Sequence, residues 1–131
     1  MEKEFYTWDN FEKDCDSLVR VIKESNARFK NIYGIPRGGL IPAVRLSHKL
    51  DIPLLSDKDI ITKETLIIDD IADSGNTLAK LRDDIDTLTT ATLFYSKNSI
   101  FKPTHYCRIK NKWVIFPWEE EKTSRYDNDI L

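Results

Sequence analysis

One stretch constrains the rest of this chain: Thr65-Leu66-Ile67-Ile68-Asp69-Asp70-Ile71-Ala72-Asp73-Ser74-Gly75-Asn76-Thr77 runs from apolar residues straight into acids and hydroxyls. Leu66-Ile67-Ile68 fits an interior strand, and Leu78, Leu81, Ile85 and Leu88 recur just beyond at helical spacing. The polar residues are therefore predicted to fall in a strand-to-helix loop. Such a loop suits an anion. The first backbone N–H groups of the following helix lack intrahelical partners, the helix dipole favours negative charge, and Gly75 allows close approach of the backbone. Ser74 and Thr77 add hydroxyl donors.

Asp69 and Asp70 need a separate explanation, because carboxylates beside a bound phosphate repel it unless they hold hydroxyls or a hydrated Mg²⁺ that the ligand also contacts. A ribose carrying phosphates supplies both. The bland alternative is that Asp73 or Ser74 caps the helix and the other acids are solvated. A cap needs one polar residue, whereas this loop stacks Asp69, Asp70, Asp73, Ser74, Asn76 and Thr77. The alternating Asp-x-Asp-x-Asp-Gly of a calcium loop is absent, and so is a Walker A sequence.

With 131 residues, 40% of them hydrophobic and 32% charged, residues 1–131 suit one compact soluble domain. No apolar stretch approaches the ~20 residues of a membrane span. Met1-Glu2-Lys3-Glu4 leads into Phe5-Tyr6-Thr7 without a signal-peptide core, so the expected location is cytoplasmic, with no membrane partner. A formal net charge of −2 with mixed signs argues against a nucleic-acid surface. Cys15 and Cys107 form no close pair and read as small buried or half-buried residues; His48 and His105 have no ligand-spaced neighbours and read as packing or surface residues. The polar run Glu119-Glu120-Glu121-Lys122-Thr123-Ser124 reads as mobile or as a solvated face.

Apolar periodicity predicts a first helix over residues 9–25, with Phe11, Cys15, Leu18 and Ile22 on one stripe and Thr7 or Asp9 as cap. A second helix runs to residue 50, with Leu40, Ala43, Val44 and Leu46 in its apolar stripe. Strands are predicted over 31–35, 53–56, 65–69, 91–96 and 105–109, with the third helix between the 65–69 and 91–96 strands. This β-α-β alternation implies an α/β fold with a doubly wound, mostly parallel sheet and helices on both faces. In that order the 31–35 and 65–69 strands lie side by side at the switch point, and the loops after them face each other across a crevice.

The loop after the first of these is Ile35-Pro36-Arg37-Gly38-Gly39-Leu40. Gly38 and Gly39 permit close backbone approach, and the planar donors of Arg37 suit phosphate oxygens. Alone, a Gly-Gly pair is as easily a tight turn. Opposite the first loop it suits a pyrophosphate.

The 65–77 run resembles the 5-phosphoribosyl-1-pyrophosphate (PRPP) motif of the type I phosphoribosyltransferases: apolar strand, two acids, two variable residues, Asp, Ser or Thr, Gly, any residue and Thr. Asn76 stands where many members have a second Gly. Ile32-Tyr33-Gly34-Ile35-Pro36-Arg37-Gly38-Gly39-Leu40-Ile41-Pro42 resembles the pyrophosphate loop of the same family, most closely in its bacterial xanthine-guanine members. The resemblance extends to Tyr6-Thr7-Trp8-Asp9 and to Lys112-Trp113-Val114-Ile115-Phe116-Pro117-Trp118-Glu119, and so covers most of the chain.

The resemblance implies a type I phosphoribosyltransferase-like sheet with a small hood from the terminal segments, and transfer of phosphoribose from PRPP to a 6-oxopurine. It makes Asp69, Asp70, Ala72, Asp73, Ser74, Gly75, Asn76 and Thr77 the PRPP-binding residues, with Asp69 and Asp70 also toward Mg²⁺. Arg37, Gly38 and Gly39 would take pyrophosphate, Lys97, Trp113 and Val114 the base, and Asp73 a proton. Trp118 reads instead as a core aromatic. Relatives insert a long loop that closes over PRPP, whereas here only residues 57–64 intervene before Thr65. That shortening leaves open a PRPP- or nucleotide-binding regulator with little activity. Ile115 replaces a polar residue near the base edge, which leaves the choice among hypoxanthine, guanine and xanthine open. A homo-oligomer is also possible on this resemblance.

Overall fold

A computed structural model describes residues 2–85 and 87–125. The chain begins with β1 (Lys3–Phe5) and α1 (Trp8–Glu24), continues through β2 (Asn31–Gly34), α2 (Leu40–Leu50), β3 (Leu54–Leu55), β4 (Thr65–Ala72) and α3 (Asn76–Asp84), and ends with β5 (Thr89–Tyr95), β6 (His105–Ile109) and β7 (Trp113–Ile115). Five strands form a parallel sheet in the order β3-β2-β4-β5-β6, and β1 pairs in parallel with β7 in a separate two-stranded sheet. This is the doubly wound α/β arrangement with a terminal hood that the sequence predicts.

The sheet is buried because its strands carry apolar side chains on both faces. Ile32, Leu66, Ile68, Ala91 and Leu93 pack with Phe11, Cys15, Leu18 and Ile22 of α1 and with Ala43 and Leu46 of α2. Tyr33 and Ile67 turn to the opposite face, against Leu78 and Ala79 of α3 and Phe101. The helices leaving β2 and β4 thus cover opposite faces, which puts the switch point between those two strands.

Helix α1 starts where Thr7 accepts a hydrogen bond from the Asn10 N–H at 3.1 Å. Its buried stripe is Phe11, Cys15, Leu18 and Ile22, joined by one acid, Asp14. The Tyr6 hydroxyl donates to Asp14, and Arg108 Nε donates to it at 2.7 Å. Burial raises the Tyr6 hydroxyl above its ordinary range and keeps it a donor.

Four local expectations change. Strand β4 continues past the predicted end at Asp69 to Ala72, because β5 pairs beside it as far as Ala72↔Tyr95, so Asp70 also lies within the strand and not in the loop. Helix α2 presents Pro42, Ala43 and Leu46 to the core, while Leu40 and Val44 are 42% and 43% exposed. The close packing of Ala43 on Gly34 sets that rotation: a Cβ on Gly34 would lie 2.6 Å from the Ala43 Cβ. Helix α3 ends at Asp84, since Ile85 is extended at φ −134°; Leu88 reaches the same core cluster from outside the helix. In the 119–124 segment Glu120, Glu121 and Lys122 form the solvated face the sequence suggests, but Ser124 is buried and accepts a hydrogen bond from Trp113 Nε1 at 3.0 Å.

The cysteines and histidines behave as read. Cys15 is buried and Cys107 half-buried, both as free thiols. Burial pushes each up to about 12, which leaves little thiolate for chemistry at neutral pH. His48 is exposed, and burial holds His105 below its ordinary value. Among the described residues no helix is long and apolar enough to cross a membrane.

Candidate active site

The carboxyl end of β4 supplies the acids. Each leading carboxylate folds back on the next N–H: Asp69 Oδ1 accepts from Asp70 N at 2.8 Å, and Asp70 Oδ1 accepts from Ile71 N at 2.8 Å. Asp69 and Asp70 are both buried. Asp70 Oδ2 has no hydrogen-bond partner, a costly state for a buried polar atom unless something outside the chain supplies one. Burial lifts the Asp70 carboxyl to about 7, the Asp69 side chain pulls it back down, and the charge of Glu119 pushes it further up.

The loop after β2 comes to meet it. Ile35 N donates to the Ile68 carbonyl at 2.9 Å, and Gly39 N closes the turn onto the Ile35 carbonyl at 2.8 Å. Within this loop the Pro36–Arg37 peptide is cis, and the Arg37 side chain is exposed. Gly38 lies against Asp70: a Cβ there would fall 1.9 Å from Oδ2. The glycine loop after β2 is therefore packed directly on the carboxyl-terminal part of β4, in keeping with a switch point between these two strands.

Beyond Ala72 the chain turns at Asp73, Ser74 and Gly75 into α3. Gly75 adopts φ +84°, and a Cβ on it would lie 2.3 Å from Ser99 Oγ, so both backbone and space select glycine. The turn is held by Ile100 N donating to the Ser74 carbonyl at 2.9 Å. Ser74 Oγ accepts from Asn76 N at 3.2 Å, but the N-cap position itself, Gly75, carries no side-chain capping bond. A helix start left without a side-chain cap suits an anion. A small, open cleft lies here, lined by Asp69, Ile71, Ala72, Asp73, Gly75, Thr77 and Leu78.

Asp73 does not cap α3 either. Its Oδ1 accepts from Lys110 Nζ at 2.9 Å, and the same Nζ stands 5.4 Å from the Trp113 ring centroid. Trp113 is half-buried on β7, and neighbouring Val114 is fully buried, its carbonyl accepting from Ser124 Oγ at 3.2 Å. Lys97 lies in the exposed turn after β5. Asn76 is exposed and Thr77 half-buried at the start of α3. Trp118 is half-buried and stacks on Phe116 at 5.0 Å, in keeping with its reading as a core aromatic.

Two polar residues at the site have no role assigned from the sequence: Lys110 lies outside every motif, and Glu119 only closes the 112–119 run. Lys110 needs the β5–β6 pairing to place it. Glu119, lifted by burial and lowered by the Phe116 N–H that it accepts at 2.8 Å, is within electrostatic reach of both Asp70 and Arg37. Among the described residues no group of three or more His, Cys, Asp or Glu is arranged to hold a metal unaided. A hard cation that keeps its waters and shares substrate oxygens needs only one or two carboxylates, and the unpartnered Asp70 Oδ2 fits that requirement.

Fold and site define the class of doubly wound α/β proteins whose ligand crevice opens at the switch point. No protein-family model matches the chain. It is similar to the xanthine-guanine phosphoribosyltransferase of Nitratidesulfovibrio vulgaris, 30% identical over 138 residues that cover 88% of this chain and 83% of that one. The corresponding protein of Gluconobacter oxydans is 26% identical, with 86% and 82% covered. The crystal structure of a purine phosphoribosyltransferase from Pyrococcus horikoshii superposes with a TM-score of 0.78 at 31% identity, covering 92% of this chain and 96% of that chain. The chain belongs to the purine phosphoribosyltransferases of the type I phosphoribosyltransferase family.

Proposed function

We propose that the protein transfers the 5-phosphoribosyl group from PRPP to a 6-oxopurine, releasing pyrophosphate and a purine nucleoside monophosphate. The observation that carries this reading is the meeting of Asp70 and Gly38. A buried carboxylate oxygen without a partner faces a glycine loop, and five residues further along the chain α3 starts at Gly75 without a side-chain bond from the N-cap residue. A ligand with vicinal hydroxyls between two phosphate groups satisfies all three at once.

In this reading the backbone from Ala72 through Thr77, with the Ser74 and Thr77 hydroxyls, holds the 5-phosphate, and Arg37, Gly38 and Gly39 receive the pyrophosphate. Asp69 and Asp70 hold the ribose hydroxyls and, with them, Mg²⁺. When bound, Mg²⁺ offsets charge on the departing pyrophosphate. Trp113 buries one face of the base, Val114 backs it, and Lys97 serves its oxo edge if the turn after β5 swings inward. As the ribose becomes oxocarbenium-like, Asp73 takes the proton that the attacking purine gives up.

A second reading has its own support. Between β3 and β4 the chain makes only the 3₁₀ turn Lys58–Ile60, a short cover for a reaction that water can divert. A regulator that binds PRPP or a nucleotide without efficient transfer fits that feature. Incubation with Mg²⁺, PRPP and hypoxanthine, guanine or xanthine separately, following both pyrophosphate and nucleotide, decides between them. Nucleotide with any base supports the transferase; PRPP binding without product supports the regulator; no PRPP binding overturns the transferase, and no binding of either PRPP or a purine nucleotide overturns both.

A further inference from the structure

Lys110 follows β6 and belongs to none of the motifs that the sequence singles out. Its N–H donates to the Tyr95 carbonyl at 2.9 Å, which anchors it at the end of β5. The side chain is 13% exposed and runs to Asp73 Oδ1 at 2.9 Å, past the indole of Trp113. It thereby spans the seam between the five-stranded sheet, which carries Asp73 at the end of β4, and the two-stranded sheet, which carries Trp113.

An anion-binding loop that begins with a carboxylate has a charge problem. At contact distances and in partial burial, an uncompensated acid beside a phosphate repels it. The same carboxylate, left unrestrained, is also free to turn back and cap α3, where it would compete with the ligand for the N-terminal amides. Lys110 addresses both difficulties. It neutralises Asp73 and engages the carboxylate through an ammonium that itself stands over the Trp113 ring.

Resting on the transferase reading, we propose that Lys110 is a positioning residue that acts through Asp73. It keeps the phosphate loop open to an anion and aims the carboxylate at the place where the acceptor base stacks. A purely structural lysine predicts something else: an ion pair of this partial exposure contributes roughly 0–1 kcal/mol to the fold and has no stake in the ligand.

The test titrates the intact chain with PRPP in the presence of Mg²⁺, comparing wild type, Lys110→Met, Lys110→Arg, Asp73→Asn and the double variant Asp73→Asn/Lys110→Met, with melting temperatures recorded for each. Lys110→Met should weaken PRPP binding about tenfold, the size of a coupling between charged groups in contact. Lys110→Arg should recover most of that loss. In the Asp73→Asn background, Lys110→Met should change affinity less than about twofold, because the charge it compensates is already gone. An equal loss in both backgrounds overturns the proposal, as does no loss at all, or a loss that tracks a fall in melting temperature that Lys110→Arg does not reverse. Should wild type bind PRPP yet form no nucleotide with any 6-oxopurine, the transferase reading fails while the titrations still decide the role of Lys110. Wild type that binds no PRPP overturns both.

Discussion

Gly38 lies against Asp70 so closely that any side chain at position 38 would enter the carboxylate: a Cβ there would be 1.9 Å from Oδ2 and 2.4 Å from Cγ. Gly38→Ala must therefore move Asp70 or push the two loops apart. Position 38 is half-buried in a loop, so the fold should survive. PRPP affinity in the presence of Mg²⁺ should fall at least about tenfold, since the substitution displaces the carboxylate proposed to hold the ribose hydroxyls and the loop proposed to receive the pyrophosphate. Calorimetric titration showing wild-type affinity would remove Asp70 and Gly38 from the ligand's path.

Asp73→Asn keeps the size of the side chain and its acceptor toward Lys110 but loses the basic group. Turnover should drop by about 10²–10⁴, the usual range for a proton-transfer residue, while the KM for PRPP moves only a few-fold. Steady-state kinetics with one saturating base separates these quantities. Equal changes in both would make Asp73 a binding residue only.

Trp113 has two jobs that substitution can pull apart. Its ring edge donates to Ser124 at 3.0 Å, and its face is the platform proposed for the base. Trp113→Phe loses the hydrogen bond but keeps a flat face, so the KM for the base should stay within a few-fold. Trp113→Ala loses both and should weaken base binding by about 1–3 kcal/mol, the worth of stacking one base on an aromatic ring. Should Trp113→Ala melt early yet keep its base KM, the indole is there for the hood alone.

Asp70 makes stability depend on pH in the direction opposite to most acids. Burial raises its folded-state value to about 7 from an ordinary 3.8, so the folded chain holds this proton more tightly than the unfolded one does. Its contribution is fully present below about pH 4 and is lost as pH rises through 7. At about 1.4 kcal/mol per unit of displacement, the effect totals a few kcal/mol. Without Mg²⁺ or ligand, Asp70→Asn should melt several degrees above wild type at pH 8 and level with it near pH 4. Identical pH slopes in the two proteins would contradict this.

Much of the architecture was legible in local pattern. The apolar run Leu66-Ile67-Ile68, the four-residue stripe of α1 and the glycines of both loops each speak through short-range chemistry, and β-α-β alternation then leaves few ways to order the strands. What was not legible depends on partners distant in sequence. The end of β4 is set by β5 and not by its own residues, which is why the strand runs on from Asp69 through Asp70 to Ala72. The face that α2 buries is set by Ala43 meeting Gly34. Ser124 and Glu119 look like ordinary polar tail residues until β7 is in place. Lys110 is one of 20 lysines and arginines, and only its register beside Tyr95 separates it from the others.

The parallel pairing of β1 with β7 joins Lys3 to Trp113, a contact that closes a loop of nearly the whole described chain. Contacts of such long range are entropically the slowest to form, so this small sheet is expected to assemble after the larger one has condensed, and to fray before it. If the acceptor base stacks on Trp113 as proposed, a purine docked there should clamp the two extremities of the fold together, and its occupancy should register as resistance to unravelling throughout the protein.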